Sequence, residues 1–253
     1  MIPSAFSSLQ EANNSLQYQM NAYDEVEYKI IERQFEDEMS AVAQLSHHIN
    51  QFNSWDKALN AFLSCHNLDA ADMAKVKIFQ LQHAYFLFTI LGQKADGIPS
   101  EMGADSLGDI ARRLLTLAQQ AIGYSGQSLT IEVAAPRFAF GMNIVAPLYG
   151  LAHHCRDPVI RREALKLLKA TRRHEGIWDG EKAAYLAETI IAIEERGLGP
   201  VREAADVPEA ARIREIKIVF GDDGKIQKLG YKQGSQSSPE TWFEEDIQAE
   251  ILG

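Results

Sequence analysis

Histidines are the first residues in this sequence whose types and spacing could do chemistry. His153-His154-Cys155 places two imidazoles and a thiol in consecutive positions, and His47-His48 is a second pair. Zinc prefers these ligands, but adjacent side chains on a helix point about 100° apart and do not easily bind one ion. No second cluster at ligand spacing lies nearby in the sequence. We therefore predict no metal site and no cofactor.

A second candidate is a histidine inside an apolar segment. Residues 78–91 are apolar almost throughout, and His83 is followed there by Tyr85, Phe86 and Phe88. A polar group among aromatic side chains is typical of a small-molecule pocket. The alternative is a buried histidine with satisfied hydrogen bonds, in a core that needs no cavity. The predicted ligand-binding residues are His83, Phe86, Phe138, Phe140, Met142 and Tyr149.

Motifs of common enzyme classes do not occur in the sequence. There is no nucleophile elbow, no phosphate-binding glycine loop and no zinc-protease helix motif. Residues 221–224 (GDDG) are too short and too acidic for a phosphate loop. If the chain is an enzyme of the cofactor-independent cyclase or isomerase type, His83 or Glu175 is the predicted acid or base.

Composition limits the classes of partner. The chain has 253 residues and a formal net charge of -10, and it has no basic stripe that could neutralise the phosphates of a DNA duplex. Two cysteines suggest no disulfide framework and fit a reducing compartment. No signal peptide is recognisable, and the longest near-apolar stretch is shorter than a membrane span. We expect an intracellular protein, in the nucleus or the cytoplasm, without direct contact to nucleic acid or membrane.

The elements that must position these residues are mainly helices. Apolar residues recur every three or four positions along most of the first 197 residues. The helices are predicted at about 9–30, 38–65, 69–91, 106–122, 158–171 and 179–197, with a further apolar segment at 136–155. Ser7 or Ser8, Asp157 and Asp179 are predicted N-caps, and Ser106 with Asp109 resembles a capping box.

The pattern changes near the end of the chain. Ile216, Ile218 and Phe220 alternate with other side chains, which indicates a strand, and residues 225–231 can return as a second strand. We predict an all-α fold, a bundle of antiparallel helices over residues 1–231 that carries a small β-hairpin at about 212–231. Residues 232–253 are predicted to be a loose tail that can form a short acidic helix around Trp242 and Phe243.

Four segments follow one another in a fixed order: 147–149 (PLY), 155–164 (CRDPVIRREA), 172–180 (RRHEGIWDG) and 207–215 (VPEAARIRE). Together these segments resemble the fungal-specific transcription factor domain. The resemblance is most specific over residues 136–220 and extends over most of 5–231. It implies a helical domain of the kind that lies C-terminal to a zinc-cluster DNA-binding module and that senses ligands, self-associates or restrains activity.

One departure from that family's full pattern is decisive. A binuclear zinc cluster needs six closely spaced cysteines, which Cys65 and Cys155 do not supply. The resemblance therefore implies a regulatory domain, or a stand-alone derivative, that binds a small hydrophobic effector or a partner protein. The alternatives are a stand-alone enzyme of secondary metabolism and a dimerisation partner deficient in DNA binding, as a homodimer or with a full-length regulator.

Arginines of these segments are predicted to fix the angles between consecutive helices. The predicted cations are Arg156, Arg161, Arg162, Arg172 and Arg173. Their predicted partners are Asp157, Glu163, Glu175 and Asp179. Pairs of this kind are commonly architectural, because a guanidinium can hold a carboxylate with two parallel hydrogen bonds.

Overall fold

The structure is a computed structural model that describes residues 2–32, 34–35, 37–94, 101–123, 137–139, 144–171, 173–221, 226–234 and 241–246. Over these residues the chain is mostly helical. The α-helices are α1 (Leu9–Ile31), α2 (Glu38–Cys65), α3 (Ala70–Lys94), α4 (Gly108–Ile122), α5 (Val145–His154), α6 (Pro158–Thr171) and α7 (Gly180–Glu194). Short 3₁₀ turns lie at Gly103–Leu107, Ala204–Asp206 and Glu209–Ala211.

The helix starts follow the predicted caps in three of four cases. Ser8 Oγ accepts from Glu11 N at the start of α1, and Asp157 and Asp179 cap α6 and α7 through the backbone N–H groups of the first turn. The predicted capping box at Ser106 is wrong. Ser106 lies in the 3₁₀ turn that precedes α4, and its hydroxyl donates backward to Gly103 O.

The predicted end of α3 also differs from the structure. Helix α3 continues through Gly92 to Lys94, because a helix packed on its neighbours tolerates one glycine. Helix α2 runs unbroken through Asn53 and Ser54. Gly123 does end α4 as predicted, in the left-handed conformation with φ 73°.

Strands form two small sheets. β1 (Arg137–Ala139) pairs in parallel with β2 (Arg173–Glu175), which pairs antiparallel with β3 (Trp178–Asp179). The sequence did not predict this sheet, because strands of two or three residues leave no visible alternation. All-α is therefore only approximately right as a description of the fold.

The C-terminal sheet is larger than the predicted hairpin. β4 (Ile213–Phe220) pairs antiparallel with β5 (Ile226–Gln233), as expected. β6 (Phe243–Asp246) then pairs antiparallel with β5, with Phe243 opposite Tyr231. The acidic segment predicted as a short helix is thus a strand over these residues, because the exposed edge of β5 offers backbone partners that an isolated short helix lacks.

Buried side chains form two apolar clusters. The first lies between α1, α2 and α3 and contains Trp55, whose Nε1 donates to Ala12 O at 2.8 Å. The second lies between the later part of α3, helices α4 to α7 and the C-terminal sheet. Helix α3 contributes to both clusters and is the central helix, as its nearly continuous apolar sequence predicts.

Candidate functional site

His83 is held inside the first apolar cluster. It is 2% exposed, its Nε2 donates to Phe52 O at 2.9 Å, and its ring stacks on Trp55 at 5.2 Å between centroids. Burial lowers the pKa of His83. This is the arrangement of a neutral core histidine that fixes α3 against α2.

The other predicted ligand residues are not brought together as one wall. Phe86 packs on Tyr23 and Phe52 in the first cluster, whereas Tyr149 belongs to the second cluster. Phe138 lies in β1, opposite His174. Phe140 and Met142 lie outside the described residues.

Glu175 is a capping carboxylate in this structure. It is fully buried, and its Oε2 accepts from Ile144 N at 2.8 Å and from Val145 N at 2.9 Å, at the start of α5. A negative charge at a helix N-terminus is favourable because the free N–H groups there carry partial positive charge. Arg173 Nη1 lies 3.7 Å from Glu175 Oε1, so this predicted pair is present. Glu175 therefore ties β2 to α5.

Three buried charged side chains form a group that we call the joint cluster: Arg156, Arg161 and Glu194. All three are at most 1% exposed. Glu194 Oε1 lies 2.6 Å from Arg156 Nη2, and Oε2 lies 2.8 Å from Arg161 Nη2. Glu194 Oε1 also accepts from Ile213 N at 2.8 Å, and Arg156 Nη1 lies 2.9 Å from Glu101 Oε2. The cluster joins the α5–α6 connection to the end of α7 and the beginning of β4.

The electrostatics of the joint cluster favour its charged state. Burial opposes charge on Glu194, but the nearby Arg156 and Arg161 outweigh that effect and lower its pKa. Burial likewise opposes charge on Glu101, yet hydrogen bonding to His154 and the charge of Arg156 lower its pKa to about 2. Both carboxylates are therefore ionised and paired at neutral pH.

A further buried arginine anchors the segment that precedes the C-terminal sheet. Arg212 is fully buried, and its Nη1 and Nη2 reach Asp105 Oδ1 and Oδ2 at 2.8 and 2.7 Å. It also donates to the backbone carbonyls of Glu101, Ala204 and Val207. One side chain thus ties the 3₁₀ turn before α4 to the turns that lead into β4.

Among the predicted arginine pairs, Arg173–Glu175 is present, the partners predicted for Arg161 and Arg162 are wrong, and Arg172 lies outside the described residues. Arg161 pairs with Glu194 at the end of α7, and Arg162 pairs with the next residue, Glu195. Asp157 instead caps α6. Partners are set by the packing of α6 on α7, which brings together residues more than thirty positions apart. A signal was present in the sequence: two acidic residues at the C-terminal end of a helix oppose the macrodipole and need cations nearby.

A cleft of about 470 Å³ lies beside the joint cluster. Its lining is polar and largely charged, and it does not contain the six predicted ligand residues. The side chains that line it include Asp105, Asp109, Arg112, Cys155, Arg156, Asp157 and Glu203. This composition differs from the apolar pocket that the sequence suggested.

The paired histidines do not form a metal site in the part of the chain that the structure describes. There, no group of three His, Cys, Asp or Glu side chains is placed to hold an ion. The rings of His153 and His154 do stack, at 4.2 Å between centroids. Both residues lie in the last turn of α5. The described helices also include none that is long and apolar enough to span a bilayer.

Comparison with known proteins gives one partial similarity. The chain is 29% identical over 98 residues to the aspercryptin biosynthesis cluster-specific transcription regulator atnN of Emericella nidulans. The matched stretch covers 38% of this chain and 16% of that regulator, so this chain spans only a small part of its length. No protein-family model and no solved structure matches the chain.

Proposed function

We propose that this chain is a regulatory domain of fungal transcription control, either part of a zinc-cluster regulator or a stand-alone derivative of one. The observation that carries this proposal is the similarity over 98 residues to a cluster-specific transcription regulator. It agrees with the ordered segments of the sequence that resemble the fungal-specific transcription factor domain. Since the match covers a small part of that regulator, we propose a domain-level role and not its whole activity.

The joint cluster supports a role in which the packing of α5, α6 and α7 responds to an effector or a partner. Buried charges that lose a partner are costly, so Arg156, Arg161 and Glu194 favour one relative placement of α5, α6 and α7 over intermediate ones. Glu194 also holds Ile213 at the start of β4. An effector or partner that prefers another placement of these helices changes what the C-terminal sheet presents to the surface.

The charge of the chain supports action through a ligand or a protein. With a net charge of -10 the chain lacks the electrostatic attraction on which most DNA affinity depends. A regulator that contains it therefore contacts DNA through another module or another chain.

The experiment that tests the proposal is deletion of the gene in its source organism, followed by measurement of transcripts and small metabolites. We expect transcript levels of a defined gene set to change, and complementation with the wild-type chain to restore them. Complementation with Glu188→Gln should restore them as well, because this variant changes only a half-exposed pair between Glu188 on α7 and Lys169. A changed metabolite profile at unchanged transcript levels contradicts the proposal and favours the enzyme.

A further inference from the structure

Four aromatic side chains form a continuous row beside the joint cluster. Trp178 on β3 lies 5.5 Å from Tyr149 on α5, Tyr149 lies 5.7 Å from His153, and His153 lies 4.2 Å from His154, all between ring centroids. We call these residues the aromatic row. Because its members come from α5 and β3, the row connects these two elements. Glu175 connects β2 to α5 in the same part of the bundle.

Three members of the row each carry a buried polar atom that makes no hydrogen bond. These atoms are Tyr149 Oη, His153 Nε2 and Trp178 Nε1, and each has less than 1 Å² of accessible surface. Most buried polar atoms in folded proteins have a partner, and three adjoining exceptions call for an explanation. A bound molecule or ordered water that supplies the missing partners is the usual one.

The chemistry of the three atoms determines which hydrogen-bond partners a ligand must supply. An indole N–H only donates, so Trp178 requires an acceptor, whereas a phenol donates and accepts. Burial lowers the pKa of His153 well below its ordinary value, and the neighbouring cation Arg156 adds to this effect. His153 is therefore a neutral imidazole at physiological pH, and the three unpaired atoms offer no charge to pair with an ionic ligand.

We propose that the aromatic row is a binding site for a neutral, planar molecule that carries a conjugated carbonyl and a hydroxyl group. The carbonyl accepts from Trp178, the hydroxyl bonds with Tyr149 or His153, and the flat ring system packs among the aromatic rings. This inference rests on the proposed regulatory function, since it names the class of effector. It keeps Tyr149 of the predicted ligand residues and replaces the others by His153 and Trp178.

The site is closed in this structure, so binding selects a less populated conformation. Trp178 is only partly buried, and the turn before it exposes 97% of Ile177. The other end of the row is also partly exposed, since 43% of the His154 side chain is accessible. A ligand that supplies partners to Trp178 and to Tyr149 or His153 favours the open form, and this difference in affinity is what a population shift requires.

The test uses 7-hydroxycoumarin as the probe and naphthalene as a ring system of similar size without oxygen. The chain has three tryptophans, so three indole N–H resonances are followed by NMR and assigned with Trp178→Phe and Trp242→Phe. We expect 7-hydroxycoumarin to shift the Trp178 resonance saturably, and naphthalene to bind about tenfold more weakly or less. Equal binding of both probes, or no saturable shift up to about 1 mM probe, overturns the proposal.

Variants of the aromatic row distinguish a ligand-binding site from a core that merely contains unpaired polar atoms. Tyr149→Phe removes one unpaired hydroxyl, so we expect an unchanged or higher melting temperature together with about five- to tenfold weaker binding of 7-hydroxycoumarin. Trp178→Phe, followed through the fluorescence of the probe, is expected to weaken binding similarly. Tyr18→Phe is the matched control, because Tyr18 is 71% exposed on α1. Wild-type affinity in both row variants contradicts the proposal.

The result of this binding test is independent of the result of the gene deletion that tests the regulatory proposal. If 7-hydroxycoumarin does not bind while gene deletion still changes transcripts, the aromatic row is a packing feature and the regulatory function stands. If the probe binds while transcripts do not respond to deletion, the site stands and the regulatory function does not.

Discussion

Glu194→Gln is the perturbation that most directly probes the joint cluster. The substitution keeps the shape of the side chain but removes the charge that faces Arg156 at 2.6 Å and Arg161 at 2.8 Å. Leaving a buried ion without its partner typically costs about 3–5 kcal/mol. Arg156 retains Glu101 at 2.9 Å, and Arg161 retains Glu195 at 3.8 Å, so we expect the lower part of that range, about 3 kcal/mol.

Chemical unfolding followed by circular dichroism measures this loss as a change in the free energy of unfolding. A protein of this size should also melt roughly 6–12 °C lower. Glu188→Gln on the same helix removes a half-exposed pair and is expected to cost less than about 1 kcal/mol. If Glu194→Gln costs no more than Glu188→Gln, the joint cluster does not hold α5, α6 and α7 together and the reasoning is refuted.

Four further substitutions test other parts of the structure. Burial raises the pKa of Glu27 in the folded protein above its value in the unfolded chain. The contribution of Glu27 to the free energy of unfolding is therefore fully present below the unfolded pKa and is lost as pH rises through the folded pKa. Urea unfolding should therefore show Glu27→Gln more stable than the wild type at pH 7, with a smaller difference at pH 4; an equal difference at both contradicts this. Arg212→Met should cost about 3 kcal/mol and raise amide hydrogen exchange in β4 and β5, and unchanged exchange there would argue against the anchor. Thermal melting should show that Gly92→Ala stabilises the protein by about 0.5–1 kcal/mol. Gly150→Ala should destabilise it by about 1–3 kcal/mol, because a Cβ at Gly150 would lie 2.4 Å from the ring of Tyr85. Effects of the same sign for both variants would contradict this.

Local signals in the sequence predicted the helices well. The Asp157-Pro158 and Asp179-Gly180 steps mark helix starts that depend only on contacts within one turn, and the structure places α6 and α7 at these positions. Periodicity located α1, α2 and α3 for the same reason, since it reports which face of a helix is covered.

Long-range pairing could not be predicted from the same signals. Arg212 meets Asp105 across 107 positions, and Glu194 is brought to Arg156 and Arg161 by the packing of α7. The segment of β6 was predicted as a helix because its backbone partner, the edge of β5, is a property of the folded sheet. The predicted ligand residues were chosen by composition, which does not distinguish the two apolar clusters that separate Phe86 from Tyr149.

The central claim, that this chain acts on transcription, is tested most directly by timed induction of the chain in a strain that lacks its gene. RNA sequencing at successive times after induction should show a defined set of transcripts changing before any small metabolite changes. Metabolites that change first, with transcript levels constant over the same interval, would contradict the account.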